Sequence, residues 1–195
     1  MQLNGASRGR TALLIIDMMN TLHFRQSPLL LTQMETIIKP LDELRGRMHR
    51  ASQPVIYVND NEGRWESDKD NLVSRALHGP AGHCIRPLLP DNDDYFIIKP
   101  KHSGFFATPL QALLTSLQVG RLILTGVAGN ICVLFTANDA YMRDYQLIVP
   151  ADCCASNVPE DNQYALRMMK NVLRADTRKQ GAIDSTFLQQ KNPIN

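Results

Sequence analysis

The chain has 195 residues, of which 44% are hydrophobic and 21% charged, with a formal net charge of +2; this is enough apolar material for a sizeable core and excludes disorder over most of the length. Its basic residues are scattered among acids with no lysine or arginine stripe, which argues against nucleic acid as the main partner. No apolar run nears the roughly 20 residues that span a bilayer, and the N-terminus "MQLNGASRGR" lacks the apolar core of a secretory signal, so a cytoplasmic protein without a membrane partner is expected.

Short apolar runs alternate with helical patterns. "TALLIID", from Thr11 to Asp17, reads as a strand, nearly continuous in apolar character as a strand covered on both faces should be. Met34 to Ala51 is helical in pattern, and Pro40 either bends that helix or marks its start. "PVIYVN", from Pro54 to Asn59, is the second strand, and the polar tract from Asp60 to Asn71 is a long loop leading into a short helix. "YFIIK", from Tyr95 to Lys99, is the third strand. The next helix has Thr108 as its cap, Pro109 at its first position and Gln111 completing a capping-box pattern. Leu110, Leu113, Leu114 and Leu117 share its apolar face, and Gly120 is its expected stop. "RLILTG" (Arg121 to Gly126) and "YQLIVP" (Tyr145 to Pro150) are the fourth and fifth strands. A last helix follows Asn157, with Pro159 and Glu160 in its first turn and Leu166, Met169 and Leu173 on one stripe.

This alternation predicts a three-layer, Rossmann-like α/β fold around a mostly parallel sheet, in one domain over residues 1–195. In such sheets ligands bind at the carboxyl ends of the strands, near the point where strand order reverses. The first strand ends in Asp17, the third in Lys99, and the fourth runs into "TGVAGNICV", which carries Cys132. Each residue has a plain structural alternative: Asp17 as a turn cap, Lys99 as a solvated strand end with Lys101 as a competitor, and Cys132 as a small buried hydrophobe.

Together on one sheet edge they describe chemistry. In a first helical turn, unpaired N–H groups and the dipole favour a thiolate at Cys132, the Lys99 ammonium favours it further, and a lowered thiol pKa is expected. Asp17 accepts the thiol proton and returns it to a leaving group, while backbone amides hold a developing oxyanion. The sequence of events is thiolate attack on an amide-like carbonyl, an acyl-enzyme, then hydrolysis. His23, His49, His78, His83 and His102 show no spacing for a metal site or a cysteine-histidine pair, so neither metal nor cofactor is expected.

"ALLIIDMMN", "IIKPKHSGFFATPL" and "LILTGVAGNICVLFTANDAYMRDYQLIVPADCCAS" resemble, in order, the signature blocks of the isochorismatase-like cysteine hydrolases, which include nicotinamidases, N-carbamoylsarcosine amidases and ureidoacrylate amidohydrolases. The resemblance implies an isochorismatase-like fold with its core over about residues 11–175 and an aspartate, lysine and cysteine triad at Asp17, Lys99 and Cys132. It selects Lys99 over Lys101 by the distance to Ser103-Gly104-Phe105. It also implies a cis peptide at Val127–Ala128 that turns the Ala128 N–H toward the oxyanion shared with the Cys132 N–H. The implied reaction is cleavage of a C–N bond in a small amide, carbamoyl or ureido compound through a thioester. Members commonly form dimers or tetramers, so a homo-oligomer is implied.

Two departures refine that reading. After the second strand the chain reads "VNDNEGRW" and offers no histidine of the kind that holds a metal in nicotinamidase-like members. Members that cleave isochorismate, a vinyl ether, lack a cysteine where this chain has Cys132.

Phe24, Asn61, Trp65 and Phe105, in the loops after the first three strands, are the candidates for gripping a small-molecule substrate, with Trp65 equally suited to a subunit contact. Cys84, Cys153 and Cys154 have neither disulfide-scaffold density nor zinc spacing and read as packing residues. The competing functions are hydrolysis of another bond by the same fold, such as an isochorismate-type vinyl ether, and non-catalytic binding of a small molecule. A nucleotide-binding or redox role fits poorly, because "GVAGN" is not the glycine fingerprint that follows a first strand.

Overall fold

The computed structural model describes residues 9–65 and 68–184. Strands β1 (Arg10–Ile16), β2 (Val55–Asp60), β3 (Tyr95–Lys99), β4 (Val119–Val127), β5 (Gln146–Ile148) and β6 (Cys154–Ala155) form one sheet. All their pairings are parallel, in the order β3-β2-β1-β4-β5, with β6 beside β4 beyond the end of β5. The central β1 is fully enclosed, its Leu14 lying opposite Ile56 on one side and Leu124 on the other.

Alternation along β1 sends its side chains into two cores. Leu13 and Ile15 join the core formed with α1 (Ser27–Arg50), α2 (Lys69–His78) and α3 (Gly82–Ile85). Ala12, Leu14 and Ile16 join the core formed with α4 (Leu110–Ser116), α5 (Leu134–Tyr141) and α6 (Pro159–Asn171). Helix α1 buries Leu30, Met34, Ile37, Leu41, Leu44 and Met48 at helical spacing. Each such side chain contributes roughly 1.5–3 kcal/mol by leaving water.

Several boundaries differ from expectation. Helix α1 starts at Ser27 rather than Met34, with Pro28 in its first turn, and Pro40 lies inside it. The apolar face on both sides of Pro40 is buried, which outweighs the loss of one backbone hydrogen bond. Helix α4 starts at Leu110 after Pro109, while the Thr108 hydroxyl accepts from the Leu110 N–H at 3.3 Å. Its stop is Gln118, in the left-handed region at φ 55°, and not Gly120, which belongs to β4. Asn157 does not cap α6; its side-chain amide donates to the Gln26 carbonyl at 3.1 Å and ties the start of α6 to that of α1.

The strand order fixes where a site can form. The chain moves outward from β1 to β2 to β3, then crosses to β4 on the other side of β1. A crevice therefore opens between the carboxyl ends of β1 and β4. Among the described residues, no helix is long and apolar enough to cross a membrane.

Candidate active site

Asp17 follows β1 directly and adopts φ 52°, a left-handed conformation that aspartate tolerates better than most residues. Its N–H still donates to the Val58 carbonyl, so the strand pairing continues while the side chain turns into the crevice. One carboxylate oxygen accepts from the Asp60 N–H at 2.7 Å, and the other lies 2.9 Å from Lys99 Nζ. The last residue of β3, Lys99, has a fully buried side chain and also lies 3.5 Å from an Asp60 oxygen. The three strand ends are thus joined by one ammonium and two carboxylates.

The turn after β4 supplies the sulfur. Gly126 sits at φ 104°, and a Cβ there would come within 2.0 Å of the Ile16 carbonyl, so only glycine lets β4 run this close to β1. The Val127–Ala128 peptide is cis. Residues Gly129–Val133 then form a π-helical turn leading into α5. A second close approach holds this turn: the Asn130 N–H donates to Ser156 Oγ, which donates to Asn162 Oδ1 at the start of α6. Cys132 Sγ ends 3.5 Å from Lys99 Nζ, close enough for the Asp17 carboxylate to act on its charge.

The electrostatics correct one expectation. Burial and then the adjacent Asp17 carboxylate push the Cys132 thiol above its ordinary range, and Lys99 reverses only part of that rise. A thiolate beside a carboxylate in a buried pocket is disfavoured, so the resting form is a neutral thiol facing an ion pair. Burial also raises Asp17, against the pull of Lys99. For Lys99 burial works against the charge, yet Asp17, Cys132 and Asp60 together hold the ammonium above the ordinary lysine range. Charge separation at sulfur therefore depends on passing the proton to Asp17.

A cavity of about 470 Å³ opens over the sulfur, with Asp17, Ala128 and Cys132 on its wall. Phe24 lines it, as the sequence suggested, but three other candidates do not lie on that wall. Phe105 is 6% exposed and packs in the α4–α5–α6 core, because the loop after β3 turns it inward. Asn61 is buried and folds its own loop, its side chain accepting from the Gly63 N–H at 2.9 Å. Trp65 is 83% exposed and is not among the residues that line the cavity.

Other residues line the cavity instead, among them Asp60, Glu62, Arg64 and His102. Glu62 accepts from both the N–H and hydroxyl of Thr21 and pairs with Arg75 of α2, which fixes the loops after β1 and β2 to each other. His102 Nδ1 stands 3.9 Å from Cys132 Sγ, a cysteine-histidine contact that no sequence spacing suggested. Among the described residues, Glu35–His83–Cys84 and His49–Asp91–Asp94 are the groups close enough to share a metal; neither includes a residue of the cavity over Cys132, and the second lines a separate cavity at the other edge.

Residues 11–179 match the model of the isochorismatase domain. The chain belongs to the isochorismatase family. It is 46% identical over 170 residues to the isochorismatase family protein YaaI of Bacillus subtilis (strain 168), a match covering 87% of this chain and 94% of that one. It is 41% identical over 81 residues to the ureidoacrylate amidohydrolase RutB of Enterobacter sp. (strain 638), covering 42% of this chain and 35% of the relative. The N-carbamoylsarcosine amidase of Thermoplasma acidophilum superposes with a TM-score of 0.70 at 26% identity, over 90% of this chain and 99% of that one. In this isochorismatase-family hydrolase the crevice between β1 and β4 is the place where the matched strands bring their ends together.

Proposed function

We propose that this protein is a cysteine-dependent hydrolase that cleaves a C–N bond of a small amide, carbamoyl or ureido compound. The observation that carries this reading is one buried ammonium, Lys99, lying 3.5 Å from the Cys132 sulfur and 2.9 Å from the Asp17 carboxylate, with both Asp17 and Cys132 on the wall of an open cavity. Asp17 takes the thiol proton as sulfur attacks the carbonyl carbon, and the N–H groups of Ala128 and Cys132 receive the oxyanion. Asp17 then passes the proton to the leaving nitrogen, the C–N bond breaks, and a thioester remains on Cys132. Lys99 keeps Asp17 ionised between these transfers. Similarity to an amidase and an amidohydrolase supports nitrogen as the leaving atom. The test is rapid acid quenching during turnover of small amides, followed by intact-protein mass measurement. An acyl adduct that maps to Cys132 and is absent from Cys132→Ala is expected; turnover with no adduct, or with one elsewhere, would sink the proposal.

A further inference from the structure

Lys99 meets the Cys132 sulfur from the buried side, whereas on the cavity side stands His102, an exposed residue whose Nδ1 is 3.9 Å from Sγ. We propose that His102 is a further catalytic residue, the base that activates water against the thioester and then returns that proton to the departing sulfur. This inference rests on Cys132 being the nucleophile.

The placement of His102 is built into the fold. Its loop is bolted to α5, the helix that continues from the Cys132 turn: Ser103 Oγ donates to Asp139, and the Gly104 N–H donates to Thr136 Oγ1 at 3.0 Å. Thr136 Oγ1 donates in turn to the Cys132 carbonyl at 2.7 Å, so one hydroxyl ties the histidine loop to the nucleophile's own backbone. The imidazole ring lies edge-on to Phe135, with centroids 5.5 Å apart. These contacts hold Nδ1 on the open side of the sulfur.

Chemistry divides the two halves of the reaction between two bases. Both Asp17 oxygens are engaged, one by the Asp60 N–H at 2.7 Å and the other by Lys99 at 2.9 Å. Such a carboxylate suffices for a thiol but is a weak base for water, a far weaker acid than a thiol. Imidazole both takes and gives a proton near neutral pH. A water hydrogen-bonded to Nδ1 at about 2.8 Å lies within reach of an acyl carbon on Sγ. Its oxygen bonds to that carbon, Nδ1 takes one proton, the C–S bond breaks, and Nδ1 delivers the proton to sulfur. The acid product leaves and the thiol is restored with no net change on the enzyme. Besides Cys132 and His102, the titratable and charged groups on the same cavity wall are Asp17, His23, Asp60, Glu62 and Arg64.

The test uses p-nitrophenyl acetate, whose reactive ester acylates a thiol without needing the natural substrate. In His102→Gln the initial burst of nitrophenolate should keep its rate within about threefold, while steady turnover falls by about 100-fold or more. Acetylated Cys132 should accumulate in the intact mass, and added imidazole should restore turnover of His102→Ala. Turnover within a few-fold of the unsubstituted protein, or burst and turnover falling together with no accumulated acetyl group, would overturn the role of His102 and leave the nucleophile standing. Absence of any Cys132-dependent burst in the unsubstituted protein would remove the thioester and both readings with it.

Discussion

Replacing Lys99 by methionine probes the electrostatic centre of the site. The side chain is fully buried, so its methylenes are replaced nearly isosterically while its charge disappears from between Asp17 and Asp60. At 2.9 Å and an effective dielectric of about 20, the Asp17 interaction is about 6 kcal/mol before desolvation offsets much of it. Breaking a buried pair from one side costs about 3–5 kcal/mol, because the other charge is left unpaired. For a chain of this size that lowers Tm by about 6–20 °C. The loss has a pH signature. Without Lys99, burial is opposed only by Cys132 and the Asp60 N–H, and the folded pKa of Asp17 rises further above the ordinary value of 3.8. Over the window above 3.8 the native variant then holds a proton that the unfolded chain has released, so its stability falls as pH rises. The deficit against the unsubstituted protein should therefore be smaller at pH 4.5 than at pH 7. Urea unfolding at both pH values measures it, with Asp17→Asn/Lys99→Met as the partner variant expected to recover part of the loss. A deficit under about 1 kcal/mol at pH 7, or one equal at both pH values, would refute the reasoning.

Three further outcomes follow from the same geometry. The thiols of half-buried Cys132 and of buried Cys153 and Cys154 all lie above their ordinary value of 9.0, with Cys154 pushed up to about 12, chiefly by burial. The native state therefore keeps protons that the unfolded chain loses, and stability should fall steadily as pH rises above 9; a flat stability between pH 8.5 and 10.5 would contradict this. Gly126→Ala places a Cβ 2.0 Å from the Ile16 carbonyl at φ 104°, so the variant should lose several kcal/mol or fail to fold; a Tm within about 3 °C of the unsubstituted protein would count against the close approach of β1 and β4. Treatment with a strong chelator should leave turnover unchanged, and inactivation reversed by added metal would count against a reaction carried by side chains without a metal.

Much of this molecule was legible in the sequence because its signals are local. Continuous apolar runs mark β1 to β4, and the polar or small residue that ends each run falls at the carboxyl edge, which brought Asp17, Lys99 and the Cys132 turn together on the page. What stayed hidden depends on tertiary direction. Phe105 follows β3 as a cavity residue should, yet Gly104 and Thr136 turn its loop so that the ring enters the core. Asn61 spends its side chain on its own turn, while its neighbour Asp60 faces Lys99. The pairing of His102 with Cys132 joins two elements 30 residues apart, and only the bolt between the loop and α5 creates it. The direction of the Cys132 shift was also hidden, because the dipole of a helix start is readable from sequence but burial beside a carboxylate is not.

The central claim is that Cys132 cleaves a C–N bond, and ammonia release tests it most directly. The unsubstituted protein and Cys132→Ala would be compared across a panel of small amides, carbamoyl compounds and ureides, with circular dichroism confirming that both are folded. Release by the unsubstituted protein on at least one class, and none above background from Cys132→Ala, is the expected result. Equal release by the two proteins would contradict it.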